Sequence, residues 1–599
     1  MSFMLAFSRE QLPEGNQWLY ELKYDGYRAQ LIWDGSTCSL ISRNHNRLEK
    51  QFPEIVATCQ EYFPEKTTVH LDGEIVLFQN PGLADFHALK RRHRLRSQTA
   101  IHAASRKYPV CFLAFDILVA EDHDMKNEPY LKRKQELQRL FGSFDLPKKP
   151  VTHDTRRIQS IPACEDAEAI QYKAKLYRSE GIIAKTNLHT YIGKRSETWL
   201  KIKTPYVLSC FILSYTPANG YFEVGVFKGE EAITLGQCAH GFSKTEKETL
   251  IAIIKNNGRW NPRAHKHEID PSIVVRLAFT TYSNDFREAR FQSFELNTPA
   301  STCTWETWEN AFLKWPERVA LTHPEKPLWE TPKIIKHDFL GYARAIAPYV
   351  LPHLTKRLLT VVRYPHGRYG EAFFQKQCPD YAPSYVEIEA FEDTEHIVSN
   401  HVDTVLWLAN QLAIEWHIPF SLSSSRYVEE IVLDLDPPDA GAFPLAIEGA
   451  NVLKEIFDQL GLTSFVKFSG NKGLQVYLPL IKKRYTYEDT HPFTEAIGAY
   501  CLQYRPDLFT RERLKKHRGR KLYIDIPQHA FGKTIIAPYS LRGNEEALVA
   551  CPLFWEEVSS GLNRTAFTLR GVQQRLQDEG CPFHTFMETQ NQLPDFSHH

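Results

Sequence analysis

The sequence has no run of about 18 or more apolar residues, so it is not expected to span a membrane. Its first residues, MSFMLAFSREQ, lack the charged and long apolar regions of a secretory signal. The 11 cysteines are scattered and no two form a C-x-x-C pair. That argues against a zinc ribbon and against a disulfide framework, and points to a cytosolic chain with reduced thiols. There is no internal repeat and no low-complexity tract. There is also no net charge, since 72 Lys and Arg face 72 Asp and Glu. Taken whole, that argues against a simple basic nucleic-acid binder.

The zero is a cancellation. Residues 1–203 carry a net +6, residues 204–305 are neutral, and residues 306–599 carry −6. An acidic half still serves nucleic-acid chemistry if its carboxylates hold metal and local basic patches hold phosphate. At roughly 150 residues per domain, 599 residues imply about three to four domains. An apolar fraction of 43% and a mean hydropathy of −0.39 fit a globular chain with ample core.

Residues 69–78 and 110–119 are branched apolar runs that suit buried strands, and 131–140 has helical spacing. From about 205 the texture changes to short strands, with a hairpin about Ala218-Asn219-Gly220 and a helix over 245–258 closed by Gly258. A small barrel of the OB type is expected there. Residues 306–330, rich in Trp, Pro, Glu and Lys, read as a linker. Beyond it, GYARAIAPYVLPHL and TVLWLANQLAIEWH read as helices, and 430–438, 474–480 and 521–527 as strands.

Residues 21–28, ELKYDGYR, contain K-x-D-G-x-R, formed by Lys23, Asp25, Gly26 and Arg28. In order after it come SRN at 42–44, LDGEIV at 71–76, AFDIL at 114–118, EGIIAK at 180–185 and WLKIK at 199–203. A lysine amine can attack the α-phosphate of ATP only when neutral, so nearby cations such as Arg28, Lys201 and Lys203 are expected to lower its pKa. Glu74 and Glu180 suit Mg²⁺ or ribose hydroxyls. The ordered set resembles the nucleotidyltransferase core of ATP-dependent DNA ligases, shared with mRNA capping enzymes. The resemblance implies that Lys23 accepts AMP and that Glu21 lies beside adenine. It also implies that Arg28 and Arg43 contact ribose or phosphate, Phe115 stacks on adenine, and Glu74 and Glu180 bind metal and nucleotide. Lys185, Lys201 and Lys203 then hold phosphates. One departure stands out: where such ligases often carry R-x-D-K, FREARFQSFELNTP (286–299) has Glu295 and Thr298, with Arg287 and Arg290 as its only cations. The basic run 90–96 reads as a solvated face or a duplex contact.

In VLDLDPP, Asp434 and Asp436 stand two apart on a strand, hence on one face. Asp525 in YIDIP adds a third strand-borne carboxylate, a set that suits a two-metal site for nucleotidyl transfer. Between them, Ser469-Gly470-Asn471-Lys472-Gly473 reads as a tight turn able to cradle phosphates. With RYPHG (363–367), FFQK (373–376), WLANQLAIEWH and TIIAPYSLRG (534–543), these pieces resemble the polymerase domain of bacterial ligase D, of the archaeal–eukaryotic primase superfamily. That resemblance implies metal on Asp434, Asp436 and Asp525, the triphosphate on Ser469, Lys472 and Arg542, a template base on Phe373 and Phe374, and DNA phosphate on Lys376. Many relatives have His where Gln475 stands, so triphosphate binding at that position stays open. The cluster 511–521, RERLKKHRGRK, reads as a solvated helix and loop or as a receiver of DNA phosphate.

The whole chain resembles the two-domain ligase D of Bacillus-type bacteria, and no third, phosphoesterase region is expected. The implied architecture is multidomain α+β: an ATP-grasp-like nucleotidyltransferase domain over 1–203, an OB-fold β-barrel over 204–305, a linker over 306–330 and a primase-superfamily α/β polymerase domain over 331–599. The implied function is ATP-dependent nick sealing and template-dependent gap filling in bacterial non-homologous end joining. ATP, Mg²⁺ or Mn²⁺ and NTP or dNTP are the implied cofactors and substrates, with double-stranded DNA ends and nicks and the Ku protein as partners, in the cytoplasm at the nucleoid. An RNA-end or capping enzyme and a non-catalytic end-binding scaffold are the rival readings.

Overall fold

The computed structural model describes residues 2–282 and 285–594. The chain divides into two compact units, Met1–Trp315 and Pro316–His599.

The first unit is built on two mixed sheets and a third, antiparallel one. In the four-stranded sheet the strands run in the order Leu5–Arg9, Arg195–Lys203, Gly181–Thr186, Trp18–Lys23. In the second the order is Ile158–Ser160, Cys111–Ala120, Val69–Val76, Tyr27–Trp33, Cys38–Ser42. The apolar residues of its strands and of the helix Tyr130–Ser143 meet in one core containing Leu31, Leu71, Phe112, Ile117, Leu137 and Phe141. The K-x-D-G turn passes from the first sheet to the second, because Lys23 ends one strand and Tyr27 begins the next. Gly26 is required there by close approach, since a Cβ would stand 2.2 Å from the Ile75 carbonyl oxygen. Arg133 is completely buried and grips Asp116 with two bonds of 2.7 and 2.8 Å, tying the helix to the strand that carries Phe115.

Residues 206–294 form the third sheet. Its hairpin joins Tyr206–Thr216 to Tyr221–Lys228, and the helix Lys244–Asn257 ends at Gly258. Residues 306–330 are not structureless. The helix Trp305–Phe312 sets Trp308 against Phe279 and Tyr282 in the first unit, and Pro327–Trp329 forms a short strand in the second.

The second unit has a six-stranded sheet ordered Phe509–Thr510, Leu522–Asp525, Glu430–Asp436, Leu474–Pro479, Phe465–Phe468, Pro552–Leu553. A four-stranded sheet is ordered Phe373–Gln375, Thr360–Arg363, Ala413–Pro419, Thr534–Ile536. The buried Arg357–Glu430 pair, with bonds of 2.6 and 2.7 Å, joins a strand of the first to the segment leading into the second, and Arg357 also binds the Pro419 carbonyl. The helix expected over 404–417 is corrected: it spans Val402–Asn410, Leu412 takes a φ of 57°, and Ala413–Pro419 is a strand between two others. The apolar run continues across both elements, so local periodicity cannot mark the change.

Candidate functional site

Two sites arise, one in each unit. In the first, a cavity of about 240 Å³ is lined by Lys23, Glu21, Arg28, Arg43, Glu74 and Phe115, together with Lys185, Trp199 and Lys201. The two sheets supply these residues from distant parts of the chain, and the strand pairing sets them face to face. Gly181 pairs with Lys23, and Arg28 pairs with Glu74.

One end of the cavity is an anchored carboxylate. Glu21 is buried and accepts from the Tyr130 hydroxyl and the Lys134 ammonium, with Lys185 at 2.7 Å. Burial would raise its pKa, but Lys134 and Lys185 outweigh it and hold the carboxyl low. Lys185 is lowered as well, to about 8, by burial, which outweighs the pull of Glu21. Its ammonium stands 4.5 Å from the Phe115 ring centre and 4.4 Å from that of Trp199. The phosphate role expected for Lys185 therefore does not match its surroundings, which are those of the carboxylate and aromatic end. Arg28 is also committed: it forks onto Asp72 at 3.1 and 2.7 Å while its guanidinium lies 5.2 Å from Phe115. The Tyr191 hydroxyl donates to the same Asp72 at 2.7 Å.

Two residues along the same strand from Glu21, Lys23 is ion-paired with Glu180. Here an expectation is overturned. Burial lowers the Lys23 pKa, but Glu180, Glu74 and Asp25 outweigh it, so the amine is held above its ordinary value rather than below it. The neighbours that matter are anions, not the cations Arg28, Lys201 and Lys203. Glu74 in turn is pushed up to about 8, chiefly by burial. All three carboxylates act on this one amine, and the charge of a divalent cation beside them would relieve their repulsion and loosen their hold on it. Lys201 faces the cavity, and its pKa is lowered by burial and by Lys203 and Lys23. Lys203 is ion-paired with Glu288, and Arg287 binds Asp25 at 3.0 Å, so the segment lacking R-x-D-K docks against the K-x-D-G turn.

In the second unit Asp434 pairs across the sheet with Asp525, and Asp436 lies two residues on. Asp434 is pushed up to about 6 by burial and by the charges of Asp436 and Asp525. Among the described residues no three His, Cys, Asp or Glu side chains stand in a metal-holding group. The Asp436 carboxylate is instead held by Lys472 at 3.0 Å and Arg518 at 3.2 Å. The expected three-aspartate metal set is therefore not preformed, although the mutual repulsion that raises Asp434 is what a cation would relieve. The turn 469–473 is tied by the Ser469 hydroxyl, which accepts from the Gly473 and Asn471 backbone at 3.1 and 3.3 Å. Gly470 has a φ of 78°, and a Cβ on it would stand 2.6 Å from the Arg542 side chain, so the turn and Arg542 adjoin. Arg542 binds Glu415 at 2.9 Å, and Glu415 also takes His417 at 3.0 Å and the Gly543 amide at 2.9 Å. Burial would raise Glu415, but His417 and Arg542 bring it to about 2.

Phe373 and Phe374 are exposed on an edge strand, and Lys376 is exposed just beyond it. The basic runs are only partly solvent-facing. Arg92 is buried on Glu54 and the Gln51 carbonyl, whereas Lys90, Arg91, Arg94 and Arg96 are exposed. In the second cluster Arg511 pairs with Glu495 and Arg518 with Asp436, leaving Arg513, Lys515, Lys516 and Arg520 exposed. Sequence reasoning missed Asp72, Tyr130, Lys134, Trp199, Glu415 and His417, and gave Arg518 no part at Asp436. Asp72, Glu415 and His417 lie inside motifs already singled out, and a buried partner for each predicted arginine was the available signal.

Residues 4–203 match the family model of the ATP-dependent DNA ligase domain, and 335–583 that of the LigD primase-polymerase domain. The bifunctional non-homologous end joining protein LigD of Bacillus subtilis is 40% identical over 587 residues, covering 97% of this chain and 96% of that protein. The multifunctional LigD of Pseudomonas aeruginosa is 25% identical, covering 96% of this chain and 70% of that one. Among solved structures, the polymerase domain of Mycobacterium tuberculosis ligase D in complex with DNA is 28% identical, with a TM-score of 0.43 over 46% of this chain and 100% of that one. This chain belongs to the LigD family of bifunctional non-homologous end-joining proteins, with an ATP-dependent DNA ligase domain in its first half and a primase-polymerase domain in its second.

Proposed function

We propose that the chain fills and seals broken DNA ends with two separate sites, one per unit. Residues 1–203 act as the ATP-grasp-like adenylation domain, 204–305 as an OB-fold and 331–599 as the primase-superfamily polymerase domain. The observation that carries the reading is the cavity in which Lys23 faces Glu21, Phe115, Lys201 and Arg43 at once.

In the ligase site Glu21, fixed by Tyr130, Lys134 and Lys185, receives the adenine edge, and Phe115 stacks on the ring. Arg28 and Arg43 hold ribose or phosphate, and Lys201 and Lys203 take the triphosphate, Lys203 by exchanging Glu288 for it. The neutral Lys23 amine attacks the α-phosphate, the bond to pyrophosphate breaks, and AMP remains on Lys23 as a phosphoramidate. The 5′-phosphate at the nick then takes AMP, and attack by the 3′-hydroxyl seals the strand with loss of AMP. Glu74 and Glu180 would hold Mg²⁺ or Mn²⁺, which supplies charge neutralisation at the phosphates.

In the polymerase site Asp434, Asp436 and Asp525 would hold the metal, Ser469, Lys472 and Arg542 would bind the incoming nucleotide, and Phe373, Phe374 and Lys376 would meet the DNA. Asp436 must exchange Lys472 and Arg518 for the metal. DNA contact at the exposed cations of 90–96 and 511–521, a partnership with the Ku protein at DNA ends, and work in the cytoplasm at the nucleoid complete the reading. Among the described residues no helix is long and apolar enough to cross a membrane.

Incubation with α-labelled ATP and Mg²⁺ tests the ligase assignment: the wild type should be labelled and Lys23→Ala should not. Equal labelling of both would refute it. Asp434→Ala should abolish primer extension and leave nick sealing intact, and joint loss would refute the two-site reading.

A further inference from the structure

We infer that Lys314, on the segment that reads from the sequence as a linker, is a positioning residue for self-adenylylation: it holds the chain on either side of Glu180, and with it the carboxylate paired to Lys23. The inference rests on the proposed role of Lys23 as the AMP acceptor. The first unit ends only at Trp315, so Lys314 belongs to it. A lysine in a mere spacer is expected to keep its charge in water. The Lys314 ammonium instead donates to the Thr204 carbonyl at 2.6 Å, the Ser179 carbonyl at 2.8 Å and the Arg178 carbonyl at 3.4 Å. An ammonium has three donors, and three carbonyls are enough to take them all. The Tyr206 ring centre lies 4.7 Å from the same nitrogen. The side chain reaches this point because the helix Trp305–Phe312 is seated just before it, with Phe312 packed on Tyr206 and Phe279 at ring-centre distances of 5.5 and 5.9 Å.

These carbonyls bracket Glu180. Arg178 leaves the helix Ala167–Tyr177 in the left-handed region, with a φ of 59°. Ser179 is buried, and its hydroxyl donates to the Gly82 carbonyl at 2.5 Å. The Ser179 carbonyl, which is joined to the Glu180 amide, accepts from Lys314 and also from the Thr204 hydroxyl at 2.6 Å. The Glu180 carbonyl accepts from the Thr204 amide at 2.8 Å, and the Thr204 carbonyl returns to Lys314. One ammonium therefore ties the turn before the strand Gly181–Thr186 to the residue after the strand Arg195–Lys203. The next residue, Gly181, pairs with both Lys203 and Lys23. Glu180 is thus fixed from both sides at the strand end where its carboxylate meets Lys23. A cavity of about 200 Å³ is lined by Lys23, Glu180 and Lys314 together. Without the ammonium the turn loses its shared anchor and the carboxylate shifts against the amine. A misplacement of about 1 Å at a reacting group can cost about 100-fold in rate.

The test uses the full chain, first discharged with pyrophosphate, and follows label transfer from α-labelled ATP with Mg²⁺ as a rate constant and an amplitude. Lys314→Met should lower the rate constant at saturating ATP by about tenfold or more. The amplitude should stay near the wild-type value, and the KM for ATP should stay within about twofold, because Lys314 is not among the residues that line the cavity of Glu21 and Phe115. Lys314→Gln, which keeps an amide donor, should fall between the two, and it carries the test if the Met variant does not fold. In a Glu180→Gln background Lys314→Met should cost less than about twofold, since its effect passes through Glu180. An unchanged rate constant would overturn the inference. So would a lower amplitude at an unchanged rate constant, which marks a chain that only folds less well, or a loss that multiplies fully with that of Glu180→Gln. Labelling of Lys23→Ala equal to that of the wild type would instead sink the Lys23 assignment on which the inference stands.

Discussion

Replacing Glu288 with Gln should make self-adenylylation easier to saturate with ATP. The Lys203–Glu288 pair joins the segment after Tyr282 to the strand that ends the nucleotide site. The two side chains are 30% and 52% exposed, so solvent screens the attraction and the pair stabilises by only about 0.2–1 kcal/mol. A triphosphate that binds Lys203 must first break that pair. Gln keeps the shape of Glu but not its charge, so the competition disappears and the KM for ATP should fall by about 1.4- to 5-fold, at 1.36 kcal/mol per factor of ten. The assay is label transfer from α-labelled ATP to Lys23 as a function of ATP concentration. The gap between wild type and variant should shrink in 1 M salt, where the screening length is only about 3 Å. Arg287→Gln, which leaves the Lys203–Glu288 pair in place, should not lower the KM. An unchanged or raised KM in Glu288→Gln at low salt would refute the reasoning, and would show that Lys203 does not take phosphate.

The second unit should lose stability as pH rises from near 4 to about 6, because folded Asp434 keeps its proton up to about 6 whereas its ordinary value is 3.8. The folded state binds more protons across that window, so the loss is on the order of 2–3 kcal/mol, and Asp434→Asn should flatten the slope in denaturant titrations of the full chain. Arg133→Met should destabilise the first unit by about 3–5 kcal/mol, since it leaves the fully buried Asp116 carboxylate without its partner. Loss of Lys23–AMP formation at lower urea than in the wild type, with primer extension persisting, is the readout. Glu415→Gln should raise the nucleotide KM in primer extension while leaving Mn²⁺ affinity unchanged, because Glu415 fixes Arg542 and not the aspartates.

Much of the site was legible because its chemistry is written in short motifs. K-x-D-G-x-R, the D-x-D pair and the 469–473 turn are local features, and the residue types are those that the proposed phosphate and metal chemistry needs. The strands at 69–76, 111–120, 430–436 and 474–479 were legible as branched apolar runs. The 404–417 run was not, because the switch from helix to strand at Leu412 is imposed by pairing with Thr360–Arg363 and Thr534–Ile536, far away in sequence.

The sequence by itself determined the candidate residues, their order along the chain, and the cancellation of +6 over residues 1–203 by −6 over residues 306–599. Only the tertiary structure decided the state in which those residues are held. Lys23 is surrounded by carboxylates rather than cations, Lys185 belongs to Glu21, Arg28 to Asp72, Arg542 to Glu415, and Asp436 to Lys472 and Arg518. Most of these partners lie tens to more than a hundred residues apart. A buried charge must be paired wherever the sheets bring an opposite charge within reach, and that placement follows from strand order and register, which no local pattern encodes.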